Sequence, residues 1–351
     1  MGSYLNPGNE KFYRAINSEI YVDKTGLIGY TNHVLNTMQQ NLCVSRPRRF
    51  GKSMAADMLT AYYSRGCDSR ELFQGLKISE DKDFEKYLNQ YDTIFLNMQE
   101  FLSQSKDIYD MLQLLKKSVL WDLLEEYPDY RYFDETNLTR TMSDVYRNTK
   151  CPFVIIIDEW DCIFREYKND KEAQEKYLDF LRDTLKDKSY IQLVYMTGIL
   201  PIKKYGTHSA LNMFSEYSMS NPRQLAEYVG FTETEVEELC ERYHMNLKEL
   251  KEWYDGALPM IVMLAAQTVL MAIFAYFVVF NLLGKNYDAA VMTSGFCGFG
   301  MGATPNAMAN MQAITAKYGP APTAYFVVPL VGSLFIDFFN ALIITTFMNF
   351  L

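Results

Sequence analysis

The chain has 351 residues, a formal net charge of −9 and 49% hydrophobic residues. An acidic balance of this size argues against broad nucleic-acid binding and leaves at most a local basic patch to contact phosphate. Six cysteines, at positions 43, 67, 151, 162, 240 and 297, form no CxxC pair and no zinc-type cluster with the three histidines, a pattern of reduced thiols in a cytosolic compartment.

The charge is unevenly placed. The chain is dense in Lys, Arg, Asp and Glu up to Gly256, whereas from Ala257 to Leu351 the only such residues are Lys285, Asp288, Lys317 and Asp337, which cancel. The N-terminus MGSYLNPGNEKFYRAI has no apolar segment of a secretory signal, and Asn6 stands where a myristoylation motif has Ser or Thr.

In chain order, NLCVS (41–45) reads as a short apolar strand, followed by a Gly-Lys-Ser turn and a helix from Ser53 to Ser64. YDTIFLNM (91–98) is a second strand, and IYDMLQLLKKSVLWDLLEEY has the apolar spacing of an amphipathic helix. FVIIIDEW (153–160) is a continuous apolar run ending in acids, as expected of a parallel strand buried on both faces. A helix around EKYLDFLRDTLKD leads to another such strand, YIQLVYMTG (190–198). This alternation predicts a doubly wound α/β domain over 1–220. Thr232 and Glu235 stand in capping-box spacing, so Glu233 to Tyr243 should be helical, and NLKELKEWYDG completes a small helical subdomain over 221–256.

The stretch SRPRRFGKSM (45–54) sits between a strand and a helix, the context a phosphate-binding P-loop needs. There, Gly51 and the backbone N–H groups surround a phosphate, Lys52 neutralises β/γ charge, and Ser53 reaches Mg²⁺. Arg46 occupies the position where the general pattern has its first glycine, and a bare Gly-Lys-Ser also arises by chance. A second signal is the apolar strand delivering Asp158 and Glu159. As a Walker B pair, Asp158 would hold Mg²⁺ through water, and Glu159 would orient or deprotonate the attacking water; a buried strand that simply ends in solvated acids would look the same. Thr197 is either a γ-phosphate sensor or a structural strand-end threonine. Arg46, Arg48 and Arg49 either grip phosphates, close a neighbouring subunit's site, which leaves oligomerisation open, or form a solvated basic turn. The expected ligands are ATP and Mg²⁺, and the expected chemistry is ATP hydrolysis.

YVDKTGLI (21–28), SRPRRFGKSM, FVIIIDEWD (153–161), TGILPIKKYGTHSALNMF (197–214) and WYDG (253–256) together resemble the bacterial AAA-ATPase-like proteins with a degenerate Walker A, over residues 5 to 256. The resemblance implies an ATP-binding α/β P-loop NTPase domain, with Lys52 and Ser53 in the Walker A role and Asp158 and Glu159 in the Walker B role. It also implies an arginine-rich Walker A, so Arg46 departs from the general pattern and not from this family. In such proteins WYDG usually precedes more soluble helical sequence and often a nuclease-like domain; this chain departs there, so nuclease activity is not carried over.

The remainder, 257–351, reads as an all-α transmembrane fragment. Leu258 to Leu283 is long enough to cross a bilayer, since ~20 apolar residues suffice, and Tyr325 to Leu351 is a second span carrying Asp337 and Asn340. Between them, SGFCGFGMGATPNAMANMQ (294–312) is rich in Gly, Ala and Met. It is either a re-entrant loop lining a transport path or a glycine-rich helix packed through small residues. Asp337 and Asn340, three apart, offer oxygen ligands to a cation such as Na⁺, or form a polar pair between packed helices.

The run GKNYDAAVMTSGFCGFGMGATPNAMANMQ through ALI (284–343) looks like the C-terminal end of bacterial sodium/glutamate symporters. That resemblance implies that Gly298, Gly300, Gly302, Thr304, Pro305 and Asn310 belong to a glycine-rich re-entrant loop near substrate and Na⁺. A midplane site needs two inverted halves, so this chain alone is not expected to transport glutamate. The family topology starts the first retained span outside the cell, whereas a cytosolic domain before it would start it inside, and Lys285 and Lys317 are too few to decide orientation. The leading expectation is a cytosolic ATP-binding domain tethered to the inner membrane by a symporter remnant. The alternatives are a symporter-derived membrane protein carrying the ATPase part as passenger, and a chimera without function.

Overall fold

The computed structural model describes residues 2–202, 211–255, 257–300 and 304–331. Contacts divide the chain into Met1–Leu239 and Cys240–Leu351.

In the first unit, β1 (Asn41–Ser45), β2 (Asp92–Asn97), β3 (Phe153–Asp158), β4 (Ile191–Gly198) and β5 (Ser215–Tyr217) form one sheet in the order β2-β3-β4-β1-β5. Every pairing is parallel. The helices are α1 (Glu10–Ile16), α2 (Gly26–Val34), α3 (Lys52–Tyr63), α4 (Ile108–Glu126), α5 (Leu138–Thr149) and α6 (Lys171–Leu185), with shorter turns between them.

Side-chain alternation explains why the strands are apolar throughout. Along β3, Phe153, Ile155 and Ile157 join a core with α4, α5 and α6, while Val154 and Ile156 face a second core with α1, α2 and α3. A strand covered on both faces has no polar positions to show, which is the continuous pattern of FVIII. The connection from β1 to β2 crosses β4 and β3, whereas the one from β4 to β5 runs the other way past β1. Such a reversal opens a crevice at the carboxyl ends of β1 and β4.

Local signals hold the helices in register. Asp107, Asn137 and Asp170 accept hydrogen bonds from the third residue onward, at 2.9, 3.2 and 2.9 Å, and so cap α4, α5 and α6. The capping box at α7 (Glu233–Arg242) is complete: Thr232 N–H donates to Glu235 at 2.8 Å and Glu235 N–H to the Thr232 hydroxyl at 3.3 Å. Strand β5 was not among the expected elements; its three residues, Ser-Glu-Tyr, carry no apolar run and gain their place by pairing with Leu42 to Val44.

Asp57 in α3 has a carboxyl pushed up to about 6, chiefly by burial, with Lys11 opposing and Asp158 adding to the rise. The folded state holds this proton more tightly than the unfolded chain, whose ordinary value is 3.8. Asp57 therefore costs stability at neutral pH, and the cost fades as pH falls from about 6 towards 4. Asp57→Asn is expected to stabilise the fold by about 1–3 kcal/mol at pH 7 and by little at pH 4. Urea unfolding followed through buried Trp160 at both pH values checks this.

The second unit is helical. It contains α8 (Leu247–Asp255), α9 (Ala257–Phe274, continued by a π-turn and Phe280–Leu282), α10 (Tyr287–Gly300), α11 (Thr304–Tyr318) and α12 (Pro322–Val331). Val262–Leu282 is the one helix among the described residues long and apolar enough to cross a membrane. Its Met263, Leu270 and Phe277 are exposed at 70%, 68% and 65%, so this apolar surface has no cover among the described residues.

The glycine-rich stretch 294–312 is helical up to Gly300 and again from Thr304. Within each of these two helices the backbone is regular, and small-residue packing joins them. A Cβ on Gly295 would lie 2.8 Å from Met311 Sδ and 2.9 Å from Val328 Cγ1, so only glycine lets α10 approach α11 and α12 this closely. The expected second span, Tyr325 to Leu351, lies outside the described residues beyond Val331.

Candidate functional site

After β1 the chain makes a loop over 46–51 and enters α3 at Lys52. Arg49 and Gly51 have φ values of +69° and +74°, so two left-handed residues within three curl the loop over the start of the helix. Gly51 has nothing within 4 Å of a would-be Cβ; its backbone conformation, not space, is what calls for glycine.

Lys52 is buried, and its ammonium donates to the Pro47 carbonyl at 2.9 Å. Burial lowers its pKa, while Glu159, Asp158 and Asp161 act to raise it. A cation is thus set beneath the loop, inside the field of three carboxylates.

Asp158 ends β3, buried at 1% exposure. Its Oδ1 accepts from the Glu159 N–H at 3.0 Å and from the Thr197 hydroxyl at the end of β4. Both bonds fall on one oxygen, which fixes the orientation of the carboxylate. Thr197 is itself fully buried and donates its hydroxyl proton to Asp158, so it acts as the orienter of this acid.

Glu159 takes φ +55°, a left-handed turn unusual for a residue with a side chain. The turn ends the strand and delivers the carboxylate to Arg165 on the short helix Cys162–Glu166. Arg48, Ser53, Asn97, Asp158, Glu159 and Arg165 line one cleft of about 610 Å³. Ser53 and Asp158 therefore line the same cleft, as residues holding a Mg²⁺ together with phosphate and water would have to. No cluster of three or more His, Cys, Asp or Glu that could hold a metal by itself occurs among the described residues. On the other side of the loop, a largely apolar cavity of about 450 Å³ is bounded by Arg49, Phe50, Gly51, Met54, Tyr21 and Phe231.

The predicted residues are thus distributed unevenly. Ser53, Asp158 and Glu159 meet in the cleft with Arg48; Gly51 and Arg49 border the apolar cavity; Lys52 lies between loop and acids. Arg46 does not join them. It is 2% exposed, and its guanidinium donates to the carbonyls of Ser45 at 3.1 Å and Tyr217 at 2.7 Å, tying β1 to β5. In this structure the Nη1 of Arg46 is engaged with the sheet, and Arg46 does not line the cleft with the other expected phosphate-binding residues.

Three neighbours were not singled out from sequence. Arg165 follows Glu159 by six residues and is visible in DEWDCIFRE only once the turn at Glu159 is known. Asp161 accepts the backbone N–H groups of Ile199 and Leu200 at 3.2 and 2.9 Å, bracing the turn after β4. Gly198 passes so close to Trp160 that a Cβ would lie 2.5 Å from its ring. The signal for the last two was the second Asp and the Trp of the DEWD run.

In the second unit, Gly298 is buried in α10, Gly300 ends that helix, and Thr304 and Pro305 begin α11. Asn310 donates to the Ser294 carbonyl at 3.3 Å, joining α11 to α10. Gly302, Asp337 and Asn340 lie outside the described residues.

Residues 8–207, more than half of the chain, match the family described as predicted AAA-ATPase, and residues 243–320 match the sodium/glutamate symporter family. The sodium/glutamate symporter of Escherichia coli K12 is 54% identical over 106 residues, 30% of this chain and 26% of that protein. That of Haemophilus influenzae is 51% identical over 85 residues, 24% of this chain and 21% of that protein. The chain therefore spans about a quarter of the length of the symporters it matches. An uncharacterised protein from the vnfD 5′ region of Azotobacter chroococcum mcd 1 is 23% identical over 248 residues, 67% of this chain and 44% of that protein.

Proposed function

The chain belongs to the predicted AAA-ATPase family, and on that premise we propose that its first unit binds Mg·ATP and hydrolyses it, while the symporter-like region anchors it to a membrane. The observation that carries the proposal is the convergence of Ser53, Asp158 and Glu159 on one cleft beside Lys52, at the crevice end of a parallel sheet.

In this reading the loop N–H groups and Lys52 hold the β- and γ-phosphates, with Ser53 and Asp158 on the side of the ion. Bound Mg²⁺ would neutralise charge developing on the phosphate oxygens. Glu159 orients a water and takes its proton as the water oxygen bonds to the γ-phosphorus; the bond from that phosphorus to the bridging oxygen breaks, releasing ADP and phosphate. The apolar cavity beyond Phe50 suits a flat base attached to the same phosphates. Arg48, in the cleft, and Arg49, at the rim of the cavity, are the loop arginines left to meet anionic groups.

The uncovered apolar helix and the symporter likeness support membrane association. The finer placement we propose is the inner membrane, with the first unit in the cytosol. Neither glutamate nor Na⁺ is assigned to this chain alone.

Purified full-length protein in detergent should bind Mg·ATP, and Lys52→Ala should weaken that binding at least ~10-fold, because a charge-assisted contact is removed. Calorimetry measures both. Equal affinity in the two proteins would sink the assignment of the loop.

A further inference from the structure

We propose that Arg165 is the residue by which this site tells a nucleoside triphosphate from a diphosphate: it holds Glu159 while the site is empty and moves to the γ-phosphate when a triphosphate enters. The inference rests on the reading of the cleft as an ATP site. Arg165 pairs through Nη2 with the Glu159 carboxylate, and its Nε lies 3.5 Å from Asp161 Oδ2 without a hydrogen bond. The two side chains are only 18% and 24% exposed, so the pair is set into the cleft wall and is not a solvated surface contact. Asp161 Oδ2 already accepts two backbone N–H groups, so its ion pair with Arg165 is long and adds no hydrogen bond, whereas the pair with Glu159 is hydrogen-bonded.

Geometry then ties Arg165 to one phosphate. The water that Glu159 orients must face the γ-phosphorus, so whatever is paired with this carboxylate is within a side chain's reach of the γ-phosphate. The β-phosphate would lie deeper, against the loop N–H groups. A guanidinium prefers a multiply charged phosphate, which it binds through two parallel N–H groups, to a single carboxylate. Transfer of Arg165 would also free Glu159 only when there is a γ-phosphate to attack, so triphosphate recognition and release of the base are one event.

The test compares Mg·ADP with the Mg complex of a non-hydrolysable ATP analogue, titrated calorimetrically into the full-length protein and into R165Q and R165K. R165Q should weaken the triphosphate analogue at least ~10-fold and change Mg·ADP by no more than about twofold. R165K, which keeps the charge and loses the fork, should fall between, and it carries the test if R165Q melts early. If wild type binds both nucleotides and the variants weaken both equally or neither, Arg165 is a brace for the turn after β3 and the proposal fails while the ATP site stands. If wild type binds neither, the site reading fails and takes the proposal with it.

Discussion

Glu159→Gln is expected to lower steady-state ATP turnover by ~10²–10⁴-fold while leaving Mg·ATP affinity within about threefold. The carboxamide has the size of the carboxylate and can still align a water, but it cannot take the proton that leaves as the water attacks. Backbone strain does not confound the comparison, since Gln meets the same φ of +55° as Glu. Asp158→Asn is the informative contrast. Asp158 is buried beneath Thr197 and is placed on the metal side, so its loss should weaken Mg·ATP binding as well as turnover. Phosphate release under saturating ATP, with binding measured separately, distinguishes the two. Full turnover by the Gln variant would remove Glu159 from the chemistry.

The parts of this molecule that were legible from sequence are those where one local pattern decides the outcome. Six consecutive buried residues at 153–158 admit little besides a central strand, and the Thr232 to Glu235 spacing gave a helix that differs from the expected one by a single residue at its end. The ends of β1 and β3 brought the Walker-type residues together because a parallel sheet places every strand terminus on the same edge.

What was not legible depends on side-chain direction. Arg46, Arg48 and Arg49 look equivalent in SRPRRFGKSM, yet the backbone turns between them, sending the first into the sheet, the second into the cleft and the third to the apolar cavity. The partnership of Glu159 with Arg165 arises from a left-handed residue that nothing in the letters announces. In the second unit, glycines suggested irregular backbone because composition records the absence of side chains and not the reason for it; at Gly295 the reason is a close helix contact.

Arg46→Gly would restore the first glycine of the general P-loop pattern, yet it is expected to destabilise the first unit by about 3–5 kcal/mol. The guanidinium is 2% exposed and supplies donors to the carbonyls of Ser45 and Tyr217. Burial lowers its pKa, opposed by Tyr195, but an arginine remains charged at any working pH. Removing it leaves two buried acceptors unmatched, opens a cavity, and loosens β5, which has only three residues with which to hold its place beside β1. Nucleotide affinity of the fraction that stays folded should be close to that of wild type, because Arg46 does not line the cleft and its Nη1 is held by two carbonyls of the sheet. The effect should therefore appear as an earlier urea midpoint and not as a weaker binding constant measured well below it. An unchanged midpoint together with weakened Mg·ATP binding would return Arg46 to the phosphates, and would mean that the loop rearranges on binding so that β5 surrenders its arginine.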